Sequence, residues 1–344
     1  MLGVLLPNDS LASDKDRAVM MIADKIHTFA VYGEIVQGAL CYVVNVIFCH
    51  RFIRASRWHI NFRVLLVATN FMTSLLATVH PLVHIIPFDK TPFDNKKYWE
   101  AFVLYFLHFI IHITIAFAHV KFLVLGYERW VAFKDRSSYE QRGYDLAVRL
   151  IVVTISLLIG IIVIKAIIFL NFGTDKSMDQ KLLKIFTVHE SKEYFAVSFF
   201  LTFLSSTTGI AELCLLQFQA PKLCYKGQTL SENFEIRQTA AITKLMSPML
   251  TGYAITLVAA FATICVYPVF LHFYPDNEVV TEAVYQTCCQ VDYFIVSCYS
   301  MATSIYIVKL GKRNPNSVFF KTNPYVQEKE DQNAHFEVLF ETWK

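Results

Sequence analysis

The chain has 344 residues, of which 55% are hydrophobic and only 17% are charged. Soluble domains carry about 25% charged residues, so this deficit argues against a soluble globular protein and indicates that lipid is the solvent. The formal net charge of +3 is small, and no soluble segment combines a basic patch with interleaved aromatic residues. We therefore expect no nucleic-acid partner.

Seven apolar stretches, each long enough to cross a bilayer core, run through the chain. Lipid offers no hydrogen bonds to the backbone, so each stretch is predicted to be a helix. The sequence thus predicts an all-α integral membrane protein, a seven-transmembrane helix bundle surrounded by membrane lipid. The predicted spans are 28–50, 64–88, 101–126, 146–171, 194–217, 245–272 and 285–308.

The distribution of basic residues predicts which way the bundle faces. With the N-terminus outside, the inner segments hold 18 lysines and arginines and the outer segments hold 10. Nine of the arginines are then inner, and only Arg17 is outer. The positive-inside rule therefore predicts an extracellular N-terminus at 1–27, a transmembrane domain at 28–308 and a cytoplasmic tail at 309–344.

One glycosylation sequon, Asn8-Asp9-Ser10, is present and falls in the predicted extracellular segment. Asn8 is therefore a candidate glycosylation site. The eight cysteines leave a gap between residues 50 and 213. The top of the third span and the second outer loop consequently cannot share the disulfide that many rhodopsin-like receptors have.

Histidine pairs in the second and third spans are the main polar feature of the outer half. His80 and His84 are four residues apart, as are His108 and His112, so each pair lies on one helix face. If the two helices pack as neighbours, the pairs can meet, and Asp292 of the seventh span lies at a similar depth. Three interpretations stay open: a pH-responsive lining of a small-molecule pocket with Asp292 as partner, a zinc or copper site, or hydrogen bonds between helices without any ligand.

Two further charged residues lie in outer halves of spans. Glu34 and Lys165 can line the same pocket, or their side chains can extend to the membrane interface. For Lys165 we favour the interface.

An acid–arginine pair, Glu128-Arg129, follows the third span directly at the predicted inner face. A charged residue at this depth is costly unless it is paired, and Glu128 is adjacent to the arginine. Such a pair can act as a switch that keeps an inner cleft shut until a ligand releases it. The simpler interpretation is an interfacial anchor, with Tyr127 and Trp130 at headgroup level.

The third inner loop, from Leu230 to Gln238, has a partly apolar helical pattern that Ser231 can cap. This pattern predicts that the sixth span extends beyond the membrane as a helix.

Several inner-face residues are similar to the nematode Sre family of serpentine chemoreceptors, with the Sra and Srab families as close alternatives. The similarity rests on Glu128-Arg129 followed by Ala132, Tyr139-Glu140, the loop from Leu230 to Gln238, and a tail ending in His335 to Trp343. His335-Phe336 departs from the Tyr-Phe of that family. The resemblance implies a G-protein-coupled receptor in the plasma membrane or sensory cilium, activated by a small chemical ligand, with a heterotrimeric G protein as partner and without a cofactor.

A rival from another class is a histidine-rich membrane oxidoreductase or metal-binding membrane protein. The two His-x-x-x-His pairs are similar to the histidine boxes of di-iron lipid enzymes. Those enzymes place more ligands than these four at the inner surface, whereas these histidines lie on the outer side. We therefore expect a receptor and not an enzyme.

Overall fold

The computed structural model of the protein describes residues 14–53, 58–139, 143–223, 229–273 and 278–312. The Asn8 sequon, Glu140 and the tail from His335 to Trp343 lie outside the described residues. The described part is helical and without strands. Its helices are α1 (Asp14–Ile53), α2 (Ile60–Ile85), α3 (Tyr98–Lys134), α4 (Asp145–Phe172), α5 (Met178–Phe186), α6 (Lys192–Leu223), α7 (Leu230–Phe273) and α8 (Glu278–Lys312).

Seven of these helices, all except the short α5, are long and apolar enough to cross a membrane. Their outward faces expose many large apolar side chains, for example Phe29, Phe203 and Val258. Soluble monomers do not expose apolar surface on this scale, because it would be in contact with water. The chain is a multi-pass membrane protein with seven transmembrane helices, as its sequence predicts.

Helix boundaries differ from the predicted spans mainly at α1. This helix begins at Asp14, so the segment predicted as a non-membrane N-terminus at 1–27 is partly helical. Neither Pro nor Gly interrupts residues 14–27, and Asp14 and Asp16 favour a helix N-terminus through its dipole. By contrast, α2 ends at Ile85 because Pro87 disfavours helical geometry at the residue before it.

The helices form a closed bundle around α3. Helix α1 packs against α2 and α8, α7 packs against α6 and α8, and α3 contacts α2, α4, α5, α6 and α7. Helix α4 lies at the periphery and buries few side chains. The end that carries Arg129 is called the inner end below, following the orientation expected from the arginines, and the opposite end is called the outer end.

Small residues let α3 and α6 approach closely in the inner half. A Cβ atom on Gly209 would lie 2.3 Å from the backbone nitrogen of Leu123. A Cβ atom on Gly126 would lie 2.8 Å from a carboxylate oxygen of Glu212. Glycine at both positions therefore sets the spacing of α3 and α6, as small residues do in other membrane helix pairs.

Asp179 fastens the outer loops together. Its carboxylate accepts hydrogen bonds from the backbone N–H groups of Phe93 (3.1 Å) and Asp94 (2.8 Å). It also accepts one from the Tyr105 hydroxyl at 2.5 Å. The loop after α2, the helix α5 and the top of α3 are thus joined without a disulfide, and all seven described cysteines are free thiols.

The sixth membrane helix does extend past the inner end, as predicted. Helix α7 runs unbroken from Leu230 to Phe273. Its cap is Thr229, whose hydroxyl accepts a hydrogen bond from the N–H of Glu232 at 3.2 Å. The prediction that Ser231 is the cap was wrong, because the helix begins at Leu230 and already includes Ser231.

Candidate functional site

Glu128 and Arg129 form a fully buried ion pair at the inner end, where both side chains are 0% exposed. Arg129 Nε donates to Glu128 Oε2 at 2.5 Å, and Nη2 donates to Oε1. The sequence predicted that the pair follows the third helix, which was wrong because α3 continues to Lys134. The pair is therefore held on a rigid helix and surrounded by neighbouring elements.

Tyr139, in the loop between α3 and α4, packs against the ion pair. Its hydroxyl donates a hydrogen bond to Glu128 Oε1 at 2.5 Å. Burial and the adjacent Glu128 carboxylate hold the pKa of the Tyr139 phenol well above its ordinary value, so the phenol stays protonated and can donate. The Arg129 guanidinium also lies 5.4 Å from the centre of the Phe62 ring and 5.8 Å from that of Tyr139.

A second buried carboxylate, Glu235 of α7, lies within electrostatic range of the Arg129 guanidinium. Helix α7 contacts α3, so the two charged groups belong to neighbouring helices. Sequence reasoning placed Glu235 on a helical extension but had no signal for its approach to α3, because that depends on how the two helices are rotated.

In the outer half, the structure brings all four predicted histidines to one cavity. His80 and His84 of α2 and His108 and His112 of α3 line a space of about 510 Å³, measured with its opening. We call it the histidine cavity. Two histidines that sequence reasoning missed also line it, namely His27 of α1 and His189 of the loop before α6.

Three of these imidazoles, from α1 and α2, are close neighbours. The rings of His80 and His84 lie 5.2 Å apart, and those of His27 and His84 lie 5.8 Å apart. Burial, followed by the nearby His80 and Lys165 side chains, lowers the pKa of the loop residue His189 to about 4. His27 and His189 come from distant parts of the chain, so no spacing rule could have identified them.

His80 is tied to a buried carboxylate behind the cavity wall. Its Nδ1 lies 2.8 Å from Glu34 Oε2, and Glu34 is 0% exposed. The same carboxylate accepts hydrogen bonds from Gln290 Nε2 at 2.9 Å and from the Ser297 hydroxyl at 3.2 Å. Glu34 therefore connects α1 with α2 and α8 inside the bundle and does not extend to the interface.

Lys165 also points inward, so the prediction that it reaches the interface was wrong. The residue is 3% exposed, and its Nζ donates to the backbone carbonyl of Thr187 at 2.6 Å. The ammonium lies 3.6 Å from the centre of the Tyr194 ring, and the Tyr194 hydroxyl is 3.0 Å from His112 Nε2. A carbonyl of the second outer loop thus offers this lysine a closer partner than the lipid headgroups.

Asp292, predicted as a partner of the histidines, lines a different cavity. This second cavity lies between α3, α6, α7 and α8 and has about 880 Å³ of space, measured with its opening. Tyr293 belongs to the wall that the two cavities share. Its ring stacks on His80 with the ring centres 3.7 Å apart. Asp292, the preceding residue on α8, lines the second cavity and not the histidine cavity.

The second cavity also contains a charged group that sequence reasoning overlooked, Lys121 of α3. A lysine inside a membrane span is in itself a signal for a functional site, and this signal could have been used. We call this space the lysine cavity.

Among the described residues, no group of three or more His, Cys, Asp and Glu side chains is arranged to hold a metal ion. The six imidazoles line a cavity without converging on one point, so the metal interpretation gains no support from their geometry. No protein-family model matches this chain, and no curated protein matches it at a significant level. The similarity to the Sre family therefore stays a prediction from the quoted residues.

Proposed function

We propose that this protein is a chemosensory receptor of the plasma membrane that binds a small organic ligand in its outer half and activates a heterotrimeric G protein at its inner end. The observation that carries the proposal is the fully buried ion pair of Arg129 and Glu128 on α3, with Tyr139 donating a hydrogen bond to Glu128. The similarity of the chain to the Sre chemoreceptors, with Sra and Srab as alternatives, supports a sensory cell as the place where the protein acts.

The floor of the lysine cavity suggests how a ligand signals. The Tyr253 hydroxyl lies 3.1 Å from the Ser206 hydroxyl, which joins α7 to α6. The Tyr299 hydroxyl donates to the carbonyl of Met249 at 3.1 Å, which joins α8 to α7. A ligand seated on these tyrosines therefore acts on the contacts that position α7.

Helix α7 carries that displacement to the inner end. Tyr253 and Glu235 are on the same helix, roughly 27 Å apart at 1.5 Å per residue. A movement of α7 that separates Glu235 from Arg129 would open the inner end and expose the guanidinium to a partner protein. This is a two-state element that a ligand biases by binding one arrangement more tightly than the other.

The test is a signalling assay on cells that express the chain together with a promiscuous G protein. A panel of small organic compounds is applied and intracellular calcium is recorded. Arg129→Gln should abolish the response while surface expression and ligand binding are retained, because glutamine can still hydrogen-bond Glu128 but carries no charge for the partner. Arg136→Gln is the matched control, since Arg136 is a partly buried arginine nearby that makes no ion pair with any described residue and whose Nη1 donates to the Phe133 carbonyl at 3.4 Å.

A calcium response that is equal in Arg129→Gln and the unmodified chain would contradict the switch role of this residue. Loss of the calcium response in both arginine variants would show that the response depends on positive charge at the inner end in general. This result would also contradict a specific switch role for Arg129.

A further inference from the structure

The lysine cavity ends on a buried amine that lacks a counter-charge. Lys121 is 7% exposed, and its Nζ makes no hydrogen bond or ion pair with any described residue. Its neighbours are aromatic rings: the Tyr299 ring centre lies 4.2 Å from Nζ, and those of Phe122 and Tyr253 each lie 5.1 Å away. The amine is thus enclosed by three rings and faces the cavity.

Lys165 shows that this chain can give a buried lysine a hydrogen-bond acceptor. Its Nζ has a backbone carbonyl at 2.6 Å in addition to an aromatic ring. Lys121 has rings alone, and rings compensate only part of the cost of removing an ammonium from water. Intramembrane charges are normally paired, and a lysine without a partner that lines a cavity indicates that its partner comes from a ligand.

The rest of the cavity is mostly apolar and elongated. Leu257, Ala260 and Ile264 of α7 and Val296 of α8 line its walls, and Val188 of the second outer loop lies at its outer end. Tyr253, beside Lys121, and Ile264 are separated by roughly 16 Å along α7. This shape suits a molecule with a narrow hydrocarbon part and a single polar group at its deep end.

Asp292 also lines this cavity, about two helical turns nearer the outer end and roughly 10 Å from the level of Tyr299 along α8. Its Oδ1 has no hydrogen-bond partner among the described residues, and it makes no ion pair with Lys121. Asp292 therefore leaves the Lys121 amine free to pair with a ligand carboxylate at the deep end of the cavity.

We propose that the lysine cavity binds an amphiphilic monocarboxylate, with the carboxylate paired to Lys121 and the apolar chain extending outward between α6, α7 and α8. The proposal names the ligand class of the proposed receptor and rests on that function for its biological meaning. Binding itself requires only the folded chain.

The experiment uses the purified full chain in lipid nanodiscs without any G protein. Three probes with the same eight-carbon chain are compared, namely octanoate, octylamine and octanol, with empty nanodiscs to subtract partitioning into lipid. Octanoate should bind saturably and more tightly than the other two probes. Lys121→Gln should weaken octanoate binding about 30-fold or more, because it removes one partner of a buried charged hydrogen bond.

Two variants separate this effect from general damage. Lys165→Gln removes a second buried lysine, which lies outside the lysine cavity, and should leave the octanoate affinity unchanged. Ala260→Phe fills the cavity without touching Lys121 and should block octanoate, and the melting temperature of each variant checks that it is folded.

Equal octanoate affinity in the unmodified chain and a folded Lys121→Gln variant would overturn the proposal. Tighter binding of octylamine than octanoate, with dependence on Asp292, would also overturn it, because the cavity would then select a cation. Octanoate binding without a calcium response supports the proposal and counts against the receptor function. A calcium response to other compounds, with no octanoate binding, overturns the proposal and leaves the receptor function in place.

Discussion

Two buried carboxylates organise opposite ends of this bundle, and they do so differently. At the outer end, Asp179 accepts hydrogen bonds from two backbone N–H groups and from Tyr105, and so joins three separate elements. At the inner end, Glu128 pairs with its own neighbour in the chain, Arg129, and within the described part of the chain its hydrogen bond to another element comes from the Tyr139 hydroxyl.

The difference indicates which end is built to move. Backbone N–H groups cannot turn away from Asp179 without distorting the loop, so the outer fastening is static. The inner pair holds a long, flexible arginine side chain, and under the proposed function its guanidinium exchanges Glu128 for another partner. A fixed outer end above a releasable inner end is the arrangement that a ligand-operated receptor needs.

The largest expected effect comes from removing the outer fastening. Asp179→Ala removes three hydrogen bonds to the carboxylate, at about 1 kcal/mol for each lost bond, and the Tyr105 hydroxyl keeps the backbone carbonyl of residue 179 at 3.3 Å, so the free energy of unfolding should fall by about 2–3 kcal/mol. Asp175→Ala is the control, because Asp175 pairs with the partly exposed Lys184 at 2.8 Å and such pairs contribute about 0–1 kcal/mol. Thermal unfolding of the detergent-solubilised protein measures the stability of both variants. Equal losses of stability would show that Asp179 fastens the outer end no more strongly than a partly exposed ion pair does.

A smaller effect is expected at the inner end. Tyr139→Phe keeps the ring beside Arg129 but removes the hydrogen bond to Glu128, which should cost about 1–2 kcal/mol of stability. Ligand-independent signalling should rise about five-fold or more if the closed state loses this energy and the open state does not.

The control for this change is Tyr127→Phe, since Tyr127 is an exposed tyrosine at the same end. It should leave basal signalling and stability unaltered. Basal calcium in transfected cells is compared between the two variants and the unmodified chain. A Tyr139→Phe variant with lowered stability but unchanged basal signalling would show that the Glu128–Arg129 pair is as static as the outer end.

The smallest effect concerns acid at the outer end. The pKa of His189 falls from 6.5 to about 4 on burial, so between these values the unfolded chain binds a proton that the folded chain excludes. The free energy of unfolding should therefore decrease as the pH falls from 6.5 towards 4, by about 1 kcal/mol for this residue between pH 6.5 and about pH 5.5.

His189→Gln should reduce the drop in melting temperature between about pH 7 and about pH 5. The difference between the two proteins isolates His189 from neighbouring titrating groups, including Glu190, whose carboxylate lies 3.9 Å from it. Parallel curves of melting temperature against pH for both proteins would show that His189 does not contribute to the acid sensitivity of the protein.

The sequence by itself determined the seven helices and the membrane as their solvent. Span length and composition are enough for this, because every backbone group in lipid must bond within its own helix. The pairing of Glu128 with Arg129 was also predictable, since adjacent residues are close in any fold. The helical extension below the sixth span followed from its apolar pattern, although its cap is Thr229 and not Ser231.

Only the tertiary structure decided which polar residues share a cavity. Spacing places His80 and His84 on one helix face, but the rotation of α8 determines that Asp292 faces Lys121's cavity and not theirs. The inward position of Lys165 depends on a carbonyl of the second outer loop, at Thr187. Likewise, His27 and His189 reach the histidine cavity from elements whose placement no local pattern specifies. Periodicity assigns a residue to a face of its helix, whereas the neighbour that this face meets is set by the packing of the whole bundle.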